Sequence, residues 1–147
     1  MSTLTGRCLC EAISYEITGK LGPVVNCHCS KCRRWHGAAF RTRAAVPVKN
    51  FKWLHGEEHL SYYESSEKVV KTFCSICGST LVSFRKDYPE FLGLPLGGLE
   101  QDPGVRPTAN IYVASKAPWY EITDGLPQYA EWPPGDTADV TAKSADD

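Results

Sequence analysis

The amino-acid sequence predicts an all-β fold built from short strands in one domain. Ile13, Tyr15 and Ile17 alternate with polar side chains, which is the period of a strand with one buried face. Further short apolar runs are separated by Gly, Pro, Asn and Asp. A chain of 147 residues with a net charge of −1 fits a single globular domain. We place it at residues 1–134, with residues 135–147 as a small, polar, solvated tail.

The elements follow from these runs in chain order. Each run is dominated by Val, Ile, Leu, Phe or Tyr, and turn residues such as those at 19–23 and 102–104 divide them. One helical turn is expected at residues 29–35. The predicted strands are 13–17, 24–25, 40–46, 51–54, 60–63, 69–73, 81–84, 91–96 and 111–113.

The seven cysteines form three tight clusters that predict bound metal. Sulfurs two or three residues apart can share one tetrahedral zinc at about 2.3 Å per bond. A disulfide framework is disfavoured because the cysteine number is odd and the first six residues hold no apolar signal core. No run approaches the roughly 20 apolar residues of a membrane span. We therefore expect a cytoplasmic protein. The clusters are Cys8 with Cys10, Cys27 with Cys29 and Cys32, and Cys74 with Cys77.

The spacing divides the cysteines into a group of four and a group of three. Cys8 and Cys10 precede a predicted strand, so in extended geometry both side chains leave the same face. Cys74 and Cys77 follow another strand, and Gly78 permits the positive φ that turns backbone N–H groups toward the sulfurs. These two pairs predict one closed structural zinc site. The remaining three thiols leave a fourth position open, as a catalytic zinc requires.

Two histidines bear on that open position. Cys27 and Cys29 share a face, so His28 between them is expected to point away and to be partly buried or solvated. His36 lies four residues after Cys32 and could return to the metal if the segment is helical. It would then close a structural site of three cysteines and one histidine. The spacing leaves this alternative open.

Five segments carry a resemblance to a known family. The first three resemble the cysteine motifs of the glutathione-dependent formaldehyde-activating enzymes, and the later residues 115–122 and 124–129 resemble that family's C-terminal signature. The similarity spans roughly residues 6–133. The three cysteine segments are 8–16, 27–40 and 73–79.

The resemblance implies a β-tent fold with two zinc ions, a structural zinc on the group of four and a catalytic zinc on Cys27, Cys29 and Cys32. It also implies a carbon–sulfur lyase that joins formaldehyde to the thiol of glutathione. Glu11 departs from the family's usual Gly, and Asn110 stands where a His is common. Leu99-Glu100 replaces the more usual Leu-Asp, which bears on the substrate.

The only dense basic run adjoins the central cysteines. It consists of Lys31, Arg33 and Arg34, with two further arginines nearby. It is too small to predict nucleic-acid binding. We expect these three cations to bind the carboxylates of a thiol such as glutathione, or else to offset the negative charge of the thiolates.

Two other classes of function remain. A non-catalytic zinc-stapled binding or chaperone module is the main alternative, and a site closed by His36 would favour it. A redox or sulfoxide-handling enzyme is less favoured, because such an enzyme usually carries a cysteine outside the metal clusters and all seven lie within them.

Overall fold

The computed structural model describes residues 3–134, and the predicted tail at 135–147 lies outside the described residues. Strands dominate this part of the chain, which confirms the all-β prediction. The smaller sheet has the order β1-β2-β5 and is antiparallel throughout. Its strands are β1 Thr3–Arg7, β2 Ser14–Thr18 and β5 Phe51–His55.

The larger sheet has the order β10-β3-β4-β9-β8-β7-β6 and is antiparallel except for the β10–β3 pair. An α-helix, α1 (Ser30–His36), connects β3 to β4. The strands of this sheet are β3 Val24–Cys27, β4 Arg41–Pro47, β6 Leu60–Ser66, β7 Val69–Cys74, β8 Thr80–Arg85, β9 Tyr88–Pro95 and β10 Ala109–Ile111.

The main core lies where the two sheets meet. Tyr15 and Ile17 of the smaller sheet pack into one cluster with Val46 and Leu94 of the larger sheet. Each such aliphatic side chain contributes roughly 1.5–3 kcal/mol on burial. Gly6 is required beside Tyr15, because a Cβ at that position would come within 2.3 Å of the tyrosine ring. The cluster includes Cys8 and Cys74, so the apolar core reaches the four-cysteine group.

The structure corrects two strand predictions. β1 was missed because its core-facing positions are one leucine and one glycine, which do not form a recognisable apolar pattern. β10 ends at Ile111 rather than extending to Val113, since Tyr112 has a φ of 56° and residues Val113–Ser115 form a 3-10 turn. The remaining predicted strands are found at or close to their expected positions.

The helix that follows β3 is defined by its ends. Cys29 is the N-cap, and its sulfur accepts a hydrogen bond from the backbone N–H of Cys32. Gly37, in the left-handed conformation with a φ of 60°, ends the helix. The predicted helical turn at 29–35 is therefore confirmed and extends to His36.

Candidate metal centres and neighbouring cavities

The four-cysteine group combines a turn of the smaller sheet with a turn of the larger one. Cys8 and Cys10 follow β1, Cys74 ends β7, and Cys77 lies in the turn before β8. All four sulfurs lie within 4.8 Å of one another, with Cys8 to Cys10 at 3.6 Å and Cys10 to Cys74 at 3.8 Å. Ligands at 2.3 Å from a tetrahedral zinc are about 3.8 Å apart. The donor set and its spacing therefore fit a closed tetrathiolate site.

The backbone around Cys8 and Cys10 differs from the extended geometry we predicted. The N–H of Glu11 donates to the carbonyl of Cys8 at 3.1 Å, which closes a turn, and Glu11 has a φ of 70°. The turn brings Cys10 back toward Cys74. The extended prediction was wrong because the chain reverses between β1 and β2 within a few residues.

The turn after β7 matches its prediction. Gly78 has a φ of 79°, and the N–H of Ile76 lies 3.4 Å from the sulfur of Cys74. Burial by itself would raise the pKa of the Cys77 thiol, but hydrogen bonds from the hydroxyl and backbone of Ser79 outweigh it and lower that pKa to about 5.

The three-cysteine group is built around α1. Cys27 ends β3, Cys29 caps the helix, and Cys32 lies in its first turn. Their sulfurs all lie within 4.8 Å of one another. Cys29 keeps 9% of its surface exposed and the other two keep none, so the approach from outside is over Cys29. The group packs against β10 and against three partly buried aromatic residues, Tyr112, Tyr129 and Trp132.

Neither candidate histidine belongs to this group within residues 3–134. The Nε2 atom of His28 is 2.8 Å from Oδ1 of Asn110, as expected for a side chain that points away from the sulfurs. It is fully buried, however, rather than partly buried or solvated. His36 turns toward Thr80, with Nδ1 3.4 Å from the hydroxyl oxygen. The alternative in which His36 closes the site is not the arrangement found here.

Asn110 and Asp124 form a polar network that sequence reasoning did not assemble. The amide nitrogen of Asn110 donates to both carboxylate oxygens of Asp124, at 3.1 and 3.2 Å. The amide oxygen therefore faces His28, and the Nε2–H of His28 donates to it. The only signal in the sequence was that Asn110 occupies a position where the resembling family often has a histidine.

Buried cations adjoin the three-cysteine group on the same sheet. Arg41 pairs with Cys27 in the β3–β4 ladder, and Arg43 pairs with Val25. Directly paired residues of antiparallel strands lie on the same face. Both arginines are buried, and Arg41 donates to the hydroxyl of Ser83 at 3.0 Å. Their positive charge lies on the face from which the Cys27 thiolate projects, which favours negative charge there.

The three predicted cations, Lys31, Arg33 and Arg34, do not all line the same cavity. Lys31 and Arg34 line a cavity of about 440 Å³, whereas Arg33 does not. We call this cavity the α1 pocket. Its lining residues are Lys31, Arg34, Trp35, Tyr63, Ser65, Lys71 and Phe73. The structure therefore does not bring the three cations together at one surface.

A larger cavity of about 690 Å³ lies beside the four-cysteine group. Its lining residues include Cys8, His36, Phe40, Arg41 and Leu99. None of the three central cysteines lines either cavity. Within the described residues, no helix is long and apolar enough to cross a membrane.

Three comparisons place the chain among known proteins. The family model "glutathione-dependent formaldehyde-activating enzyme" matches residues 3–115. An uncharacterized lyase of Schizosaccharomyces pombe is 30% identical over 81 residues, which cover 55% of this chain and 57% of that protein. The match thus spans little more than half of that relative. A crystal structure of a Rhodobacter sphaeroides protein is 28% identical, with a TM-score of 0.56, and covers 70% of this chain and 91% of the other.

We predict that the four-cysteine group stabilises the fold through bound metal. Replacing Cys10 or Cys77 by Ser should remove about one zinc per chain and lower the free energy of unfolding by at least about 3 kcal/mol, a fraction of what a structural zinc contributes. Metal analysis and denaturant unfolding measure the two effects. The exposed Ser75, replaced by Ala, is the matched control in the same turn. Wild-type stability with undiminished zinc in both cysteine variants would contradict the prediction.

We also predict that the turn at Glu11 is strained. A left-handed conformation costs a residue with a Cβ roughly 1–2 kcal/mol, and glycine avoids most of that cost. Both Glu11→Gly and Glu11→Ala lose the ion pair with Arg7, so their difference isolates the backbone effect. The Gly variant should be more stable than the Ala variant by about 1 kcal/mol in denaturant unfolding. Equal stability would show that the turn relaxes.

Proposed function

The chain belongs to the glutathione-dependent formaldehyde-activating enzyme family, and we propose that it is a zinc-dependent carbon–sulfur lyase. Its reaction forms or cleaves a thiol–aldehyde adduct such as S-(hydroxymethyl)glutathione. The family and the lyase-named relative support a lyase-type enzyme that acts on a glutathione-related substrate. That the metal is zinc, and that the substrates are this thiol and this aldehyde, are parts of what we propose.

One observation carries the proposal. The sulfurs of Cys27, Cys29 and Cys32 converge within 4.8 Å, and among residues 3–134 no fourth cysteine, histidine or carboxylate joins them. Three protein ligands with a fourth position for a small molecule are the arrangement of catalytic zinc. The four-cysteine group, by contrast, has a full set of ligands and suits a structural role.

The chemistry of such a centre follows from its donors. A zinc ion held by these three thiolates would favour an incoming thiol in its thiolate form. In the forward direction the thiol loses its proton, its sulfur bonds to the aldehyde carbon, and the carbonyl oxygen takes up a proton. The reverse direction breaks the same carbon–sulfur bond and regenerates thiol and aldehyde.

The chain's own residues contribute charge and positioning. The buried Arg41 lies opposite Cys27 in the ladder and offsets the charge that an added thiolate brings to the group. Arg33 follows Cys32 in the helix, and its Nε is buried without a hydrogen-bond partner. We assign Arg33 to a carboxylate of the thiol substrate. Lys31 and Arg34 line the α1 pocket instead.

The test of this function combines chelation with a cysteine variant. Mild chelation should remove about one zinc per chain and abolish adduct turnover while the domain stays folded, because three protein ligands hold a metal less firmly than four. Cys29→Ser should likewise lose turnover and keep the circular dichroism spectrum. In the cobalt-substituted protein, glutathione should change the metal spectrum. A fixed histidine as fourth ligand, with a cobalt spectrum that glutathione leaves unchanged, would instead support the binding-module alternative.

The assignment of Arg33 has its own test. Arg33→Ala should raise the KM for the glutathione adduct roughly tenfold or more, the effect of losing a charge-assisted hydrogen bond of about 1.5–3 kcal/mol. Melting temperature should change little, since the buried Nε of Arg33 makes no hydrogen bond within the protein that the variant would lose. Lys52→Ala, an exposed cation on β5, is the control. A lower melting point with an unchanged KM would make Arg33 a structural residue.

A further inference from the structure

We propose that the α1 pocket is a second ligand site, and that it binds an organic anion with a flat aromatic ring. The pocket lies between α1 and the strands β6 and β7. Its volume of about 440 Å³ falls in the range of small-molecule sites, roughly 300–1,000 Å³. This site is separate from the three-cysteine group and goes beyond the lyase function.

The charge of the lining points to an anion. Lys31, Arg34 and Lys71 contribute three cations, and no aspartate or glutamate lines the pocket. Lys71 is only 4% exposed, so its ammonium group has little contact with water. An anionic group that enters the pocket would accept charge-assisted hydrogen bonds from these cations, which are the strong kind.

The apolar walls point to a flat ring. Trp35, Tyr63 and Phe73 supply aromatic surface around the three cations. The indole of Trp35 is held in place by two cations, since Cζ of Arg41 lies 4.9 Å and Nζ of Lys71 5.0 Å from its centroid. Tyr63 is 65% exposed and stands at the rim. These cations already contact the indole ring, so an aromatic ligand would pack instead against the rings of Tyr63 and Phe73.

A buried hydroxyl adds a polar contact. The Ser65 oxygen is buried and has no hydrogen-bond partner in the structure. The pairing of β6 with β7 shifts register between Glu64 and Ser66, so Ser65 is the extra residue of a bulge. Bulges change the direction of side chains, and this one places Ser65 among the residues that line the pocket. A buried hydroxyl without a partner is costly, and a bound oxyanion would satisfy it.

The helix separates this pocket from the proposed thiol site. Lys31, Arg34 and Trp35 have the i, i+3 and i+4 spacing of one helix face. Cys32 is one position from Lys31 and so projects from a different face, toward the other two cysteines. A ligand in the α1 pocket therefore leaves the fourth position of the three-cysteine group free.

Calorimetry on the zinc-loaded full chain tests the site with defined probes. We expect 2-naphthoate and 2-naphthyl phosphate to bind, with the tighter of the two showing which oxyanion the pocket prefers. The neutral 2-naphthalenemethanol should bind at least about tenfold more weakly, and inorganic phosphate alone should also be weaker, because the first lacks charge and the second lacks a ring.

Variants locate the binding. Lys31→Gln, Arg34→Gln and Ser65→Ala should each weaken 2-naphthoate binding by at least about fivefold, as expected for the loss of a hydrogen bond to an anion. Lys49→Gln, an exposed cation outside the pocket, should not. Saturating glutathione should leave the naphthoate affinity unchanged. No binding at millimolar concentration, equal binding of the neutral alcohol, an unchanged affinity in all three variants, or displacement by glutathione would overturn the proposal. The last outcome would do so without affecting the lyase assignment.

Discussion

The junction of the two sheets depends on four thiols, which come from two turns distant in the sequence and meet at one point. Cys10 and Cys74 are 64 positions apart in the chain, yet their sulfurs lie 3.8 Å from each other. One turn belongs to the smaller sheet and the other to the larger sheet, so a metal held by these thiols would link the two sheets by coordination. Closing so long a loop costs little more than closing a short one. The core beneath this point contains Cys8 and Cys74, so metal ligation and apolar packing support the same contact.

The three-cysteine group is assembled in a different way. It is assembled within a short stretch of chain, from the end of β3 through the first turn of α1, and requires no distant segment for its three sulfurs. Distant residues instead set its surroundings. β4 contributes the buried arginines, and β10 with the aromatic residues after it covers the sulfurs. The three ligands are thus set by the local sequence. Tertiary structure determines the charge around them and how a small molecule reaches them.

Much of the site could be predicted because cysteine spacing is local information. The division into four and three thiols, the positive φ at Gly78 and the outward direction of His28 all depend on neighbours within a few residues. Predictions were less successful where a residue other than glycine adopts a left-handed conformation. The reversal at Glu11 was missed because a glutamate in a left-handed conformation has no propensity signal. The early end of β10 was missed for the same reason, since Tyr112 also has a positive φ.

The grouping of Lys31, Arg33 and Arg34 shows a second limit, which is that sequence proximity does not give side-chain direction. Proximity in sequence suggested one anion site, but a seven-residue helix points these side chains in different directions. The buried cations closest to the thiols in the sheet come instead from β4. They were visible in the sequence as Arg41 and Arg43, but only strand pairing shows that they lie opposite β3.

The parallel pairing of β10 with β3 bears on the order of events during protein synthesis. Asn26 and Asn110 are neighbours in this ladder although 84 positions separate them. A ribosome therefore completes β3 and the helix with its three cysteines long before the residues that cover them have been made. At about 5–20 residues per second, the interval lasts several seconds. Throughout this interval the nascent chain presents three adjacent thiols to cellular oxidants and metals, so early zinc capture would protect them from oxidation before β10 docks.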